Sequence, residues 1–146
     1  MSKSNTFEND ILQLIFNNVD IADIGDAGGL QNSAAAGSLY VALHTSDPGE
    51  AGNASTNESA YTSYARVAVA RSGAGWTVSG NSATNFALVQ FPECTGGSET
   101  ITHVSITTAA SGTSKILYSG ALSASRSVSS GIQPQFAAGA LTVTED

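Results

Sequence analysis

The chain has 146 residues, enough for one domain's core, and it carries 12 acids against 5 bases for a formal charge of −7. That field repels phosphate backbones and argues against nucleic-acid binding, and a single cysteine, Cys94, excludes an internal disulfide framework. Only 12% of residues are charged, and 21 serines, 14 threonines and 15 glycines take the place of the usual Lys and Glu surface, as suits a protein packed against its own copies or displayed on a rigid shell.

In chain order, Phe7 to Val19 reads as an amphipathic helix. Phe7, Ile11, Leu14, Ile15 and Val19 fall at helical spacing, with Leu12 and Phe16 widening the stripe. Asn5 and Glu8 make a capping-box pair at its start. Asp20 to Ser38 reads as an irregular arm with three acids and the run Ser33-Ala34-Ala35-Ala36-Gly37. The boundary expected from this reading separates 1–38, helix and arm, from 39–146, a β domain.

After Ser38 the apolar period changes from helical to alternating. Leu39, Val41 and Leu43 are expected to face a core, and Asp47-Pro48-Gly49 stops the strand. A polar loop follows, and then further strands are predicted at 64–70, 76–79, 84–91, 100–107, 115–119, 126–129, 133–136 and 141–144. Short strands separated by Gly/Ser/Asn turns indicate a mainly β fold, an antiparallel sandwich of jelly-roll or immunoglobulin-like kind, preceded by the one helix.

No residue set in the sequence has the makings of a catalytic site. His44 precedes Thr45-Ser46-Asp47, but strand neighbours point to opposite faces, and the expected role of His44 is a hydrogen bond within its own turn. Asp20, Asp23 and Asp26 lack the alternating oxygen ligands of a calcium loop, and Gly73-Ala74-Gly75 precedes a strand where a phosphate loop would precede a helix. Cys94 has no basic neighbour to activate it. No catalytic, metal or cofactor residue is expected. Neither a secretory leader nor an apolar run of the roughly 20 residues that span a bilayer is visible, so no membrane partner is expected and assembly is placed in a cytoplasm.

Three stretches together carry a resemblance: Leu39-Tyr40-Val41-Ala42-Leu43-His44-Thr45-Ser46-Asp47-Pro48-Gly49, then Tyr61-Thr62-Ser63-Tyr64-Ala65-Arg66-Val67-Ala68-Val69, then Phe91-Pro92-Glu93-Cys94-Thr95-Gly96-Gly97 with Ile101-Thr102-His103-Val104. In this order the chain resembles a family of small tailed-phage virion proteins described as tail-fibre, head-decoration or simply structural. The resemblance implies a β-sandwich virion component without enzymatic activity, present in many copies. The first expectation is a head decoration or cement protein bound to the major capsid protein as a homo-oligomer, with a trimer among the candidates. The alternatives are a tail-associated adaptor or fibre protein, and a glycan-binding sandwich using Tyr40, Tyr61, Tyr64 and Trp76. Phe7 and Ile11 on the helix, and Tyr64 and Arg66 on one strand face, are the expected interface residues; Arg66 pairing with an acid of its own chain is the equal alternative.

Overall fold

A computed structural model describes residues 1–146 and shows a mainly β chain of antiparallel sheets with one N-terminal helix. Helix α1 (Asn5–Asn17) is followed by β1 (Ser38–His44), β2 (Val67–Ala70), β3 (Trp76–Ser79), β4 (Ser82–Asn85), β5 (Val89–Gln90), β6 (Ser98–Thr107), β7 (Ile116–Ser129), β8 (Gln135–Phe136) and β9 (Thr142–Thr144). A four-stranded sheet has the order β2-β1-β6-β7, a three-stranded one β3-β4-β9, and β5 pairs with β8. The chain forms two compact units, one of Met1–Ser38, Val69–Leu88 and Phe136–Asp146, the other of Leu39–Ala68 and Val89–Gln135.

In the first unit α1 packs on β3 and β4. Ser4 caps the helix, its hydroxyl accepting from the Phe7 N–H at 3.3 Å, so the expected Asn5–Glu8 box gives way to a cap one residue earlier. Glu8 is drawn into the buried face instead, in line with Leu12 and Phe16. Of the expected stripe, Leu12 and Phe16 form the buried line, while Ile11 and Ile15 are half-buried and Phe7 is exposed. The reason is Phe16, whose ring meets Trp76 edge-on at 4.7 Å; both are fully buried. Asn18 ends the helix with a left-handed φ of 58°.

Past the helix the chain is irregular, as expected, and closes on itself. Ile21 and Leu30 form an isolated antiparallel bridge, the Asn32 N–H bonds the Asp20 carboxylate at 2.6 Å, and Asn18 exchanges bonds with Asn32 and Ser33. Gly29 is required here: a Cβ on it would lie 1.8 Å from the Ile21 carbonyl oxygen. Arg71 fastens the loop to the helix end. Its Nε donates to the Ile15 carbonyl at 2.7 Å, Nη2 donates to the Leu14 carbonyl, and Nη1 donates to Ser33 Oγ. Those carbonyls are among the last four of α1 and have no partner within the helix, so a cation there supplies both the bonds and a favourable charge.

In the second unit β1 is buried on both faces. Val41 and Leu43 lie opposite Ile106 and Val104 of β6, and Ala42 and His44, expected on the outer face, are themselves fully enclosed. A strand held between two neighbours and covered by a loop has no wet side. The predicted strand 84–91 is split into β4 and β5, because the Asn85 side chain turns back to the Ala87 carbonyl at 2.8 Å and ends the pairing. The predicted strands 115–119 and 126–129 are one strand, β7. Between the pairs Ile101–Arg126 and His103–Ala121 it carries four residues, Leu122–Ser125, against the single Thr102 of β6.

Truncating Phe16 to Ala removes the side chain wedged between α1 and Trp76. It is expected to lower the unfolding free energy by about 3–5 kcal/mol in a urea titration.

Candidate functional site

The first two motif stretches come together in the second unit around one buried cation. Arg66 is 8% exposed and every guanidinium N–H has an acceptor. Nε donates to Glu58 Oε1 at 2.6 Å and Nη2 to Glu58 Oε2 at 2.8 Å, the two-pronged pairing that the guanidinium's fork favours. Nη2 also donates to the Gly112 carbonyl at 2.8 Å, and Nη1 donates to the Ala109 carbonyl at 3.0 Å and to Ser114 Oγ at 3.1 Å. The bonds to Glu58 raise the pKa of Arg66 further, against the opposing effect of burial.

The cluster continues from Glu58 into β1. The Tyr64 hydroxyl donates to Glu58 Oε1 at 3.2 Å and accepts from the Leu43 N–H at 3.0 Å. Burial pushes the Tyr64 hydroxyl well above its ordinary range. Tyr64 stacks on Phe91 at 6.2 Å and meets Tyr61 edge-on at 5.4 Å. Tyr61, itself buried, donates to the Pro92 carbonyl at 2.8 Å, and burial raises its pKa to about 12. The loop before Tyr61 is fixed by Glu99, which accepts from Ser59 Oγ and from the Ala60 N–H.

His44 bonds across the unit, and its expected role within its own turn falls to Asp47, which accepts from the Gly49 N–H at 2.8 Å. His44 Nδ1 lies 2.9 Å from the Thr56 carbonyl, which can only accept, so Nδ1 carries the proton. Nε2 is then the acceptor of the Ser105 hydroxyl at 2.7 Å. This is a serine–histidine pair by geometry, but Ser105 is 1% exposed and His44 fully buried. No reacting group can reach it. Burial holds the imidazole below its ordinary pKa of 6.5, in the neutral form.

Of the expected interface residues, Tyr64 and Arg66 therefore sit inside their own unit, bonded to Glu58, while Phe7 is exposed and Ile11 half-buried on α1. Trp76 and Tyr61 are buried, so they do not form a surface platform. Cys94 is fully buried, with Sγ 3.2 Å from the Gly96 carbonyl. Asp26 caps its own turn, accepting from the Gly28 N–H at 2.8 Å. The residue that the sequence does not single out is Glu58, in the polar loop; its only signal is that it is the nearest acid preceding the Tyr64–Arg66 pair.

Two outcomes follow. Arg66→Ala leaves the Glu58 carboxylate without its counter-ion in a partly dry site and is expected to cost about 3–5 kcal/mol by denaturant titration. For His44, a folded-state pKa below 6.5 means that the unfolded chain takes up the proton first. Its contribution is whole above pH 6.5 and declines as pH falls from there toward the folded value. The denaturation midpoint should drop as pH falls below 6.5, and His44→Gln, which cannot titrate, should remove that step.

No helix of the chain is long and apolar enough to cross a membrane. A search of curated proteins gives no match to the chain. The family model described as "Podophage GP4 fiber I protein gp80" matches residues 2–144, which include all three motif stretches, the Arg66 cluster and α1. With nearly the whole length matched, the chain belongs to this podophage fibre family and is a phage virion structural protein.

Proposed function

We propose that the chain is a non-enzymatic structural subunit of the tail-fibre apparatus of a podophage particle, present in several copies beside neighbouring tail proteins. The observation that carries this reading is the match over residues 2–144 to a fibre family. It favours the tail-associated alternative over the head decoration or cement role that was the first expectation, since the family's description names a fibre and no capsid protein. The chemistry of the buried cluster supports a scaffold. His44, Glu58, Tyr64 and Arg66, the side chains best suited to act on a ligand, spend their hydrogen bonds on the chain's own loops.

Immunogold labelling of purified particles, with the chain quantified by mass spectrometry against the major capsid protein, tests the assignment. Label confined to the tail region at far fewer copies than the capsid protein is expected. Label spread over the head at a ratio near unity would return the protein to capsid decoration, and absence from particles would end the structural reading.

A further inference from the structure

Phe86, Ala87 and Leu88 form the most exposed apolar run in the chain, with Phe86 at 59% and Leu88 at 51% exposure. They are presented by a rigid device. The Asn85 side chain, 1% exposed, donates from Nδ2 to the Ala87 carbonyl and to the Ala137 carbonyl, both at 2.8 Å, and its Oδ1 accepts from the Leu141 N–H at 2.9 Å. The Asn85 carbonyl accepts from the Gly139 N–H, and the Phe86 N–H donates to the Gly75 carbonyl, each at 2.8 Å. Three loops of the first unit, 72–75, 86–88 and 137–140, are thus tied into one end.

That end holds no charged residue, only Ser, Gly, Ala, Phe and Leu, in a chain whose formal charge is −7. An exposed apolar run next to small side chains marks a protein contact. The absence of charge points to the kind of partner. Interfaces between identical subunits are the more apolar class and are depleted of charge at their centre, and two strongly acidic chains meet most readily where neither brings an acid. Ala and Gly beside the two large residues lose almost no rotamer freedom on being covered. Extension of the four-stranded sheet at its longest strand, β7, is obstructed. β7 is one of the two edges of that sheet, with β2 the other, and its pairing with β6 shifts register twice; bulges of this kind keep edges from pairing.

We infer that the Phe86–Leu88 end is a self-association surface that seats a second copy of this chain. The inference deepens the fibre reading by naming the contact, yet the two fail separately. A chain that self-associates but is missing from particles sinks only the fibre reading, and a chain found in the tail but monomeric in solution sinks only this one.

The test is the mass of the full-length chain by sedimentation equilibrium over a concentration series, for the native sequence, for Phe86→Glu with Leu88→Glu, and for Ile132→Glu. Ile132 is also apolar and 45% exposed, so it controls for adding charge elsewhere. Because Phe86 and Leu88 are exposed, the far-ultraviolet circular dichroism of the double variant should match the native chain. The native chain and Ile132→Glu should be oligomeric, and the double variant should dissociate with a constant at least roughly a hundredfold weaker. A native chain that stays monomeric at the highest concentration would overturn the inference and assign the patch to a different virion protein. Oligomers that survive in the double variant would overturn it as well.

Discussion

A guanidinium removed from water must find an acceptor for each of its five N–H groups, and satisfying Arg66 determines much of what surrounds it. Two of the acceptors are the oxygens of Glu58, in the loop after β1, and three lie at 109–114, in the turn between β6 and β7. One side chain therefore holds two loops that have little hydrophobic content of their own. Glu58 passes the constraint on through Tyr64 to the Leu43 N–H near the end of β1. The backbone then finds its partners in order, Ser59 N–H to the Leu43 carbonyl and Thr45 N–H to the Asn57 carbonyl. His44, on the same stretch, completes the cover with its bonds to Thr56 and Ser105.

The first unit uses the same physical solution with different residues. Arg71 closes the open end of α1 on the loop that follows it, and Asn85 joins two turns through its one amide. A chain rich in Ser, Gly and Ala cannot fix its loops by burying large apolar groups, so a few long polar side chains bond the loop backbones directly. This accounts for how so few charges suffice. Two of the five bases are internal structural members, which leaves the surface mostly hydroxyl and small apolar, with the acids scattered over it. A virion protein gains from such a surface, because covering it against neighbours strands few charges.

The regular elements were legible because period and turn chemistry are local. The helix, β1, β3 and the turn at Asp47-Pro48-Gly49 stand where alternation and Gly/Pro punctuation put them. The misreadings share a cause, a side chain acting over distance. Asn85 splits an apparently continuous apolar strand, Phe16 narrows the helix's buried face to its own line against Trp76, and the covered second face of β1 depends on a loop that reads as solvent-exposed. The motif residues Tyr64 and Arg66 were visible, but their partner Glu58 was not. Nothing in a polar loop distinguishes an acid that will be buried beside an arginine from one that will face water. The Phe86–Leu88 run was hidden for the converse reason, since apolar residues in sequence suggest a core strand and only the fold shows them exposed.

If Arg66 is the constraint on which the second unit's loops depend, its loss should loosen distant segments together while the first unit keeps its structure. Native-state hydrogen exchange on Arg66→Met, which keeps the bulk of the side-chain stem and removes the donors, measures this directly. The account predicts that the amides of Leu43, Thr45, Ala54 and Ser59 lose protection as one group, with those of Trp76 and Asn85 unchanged. Loss at Leu43 alone, with Ala54 and Ser59 as protected as before, would contradict it and show that the loops are held independently of the buried cation.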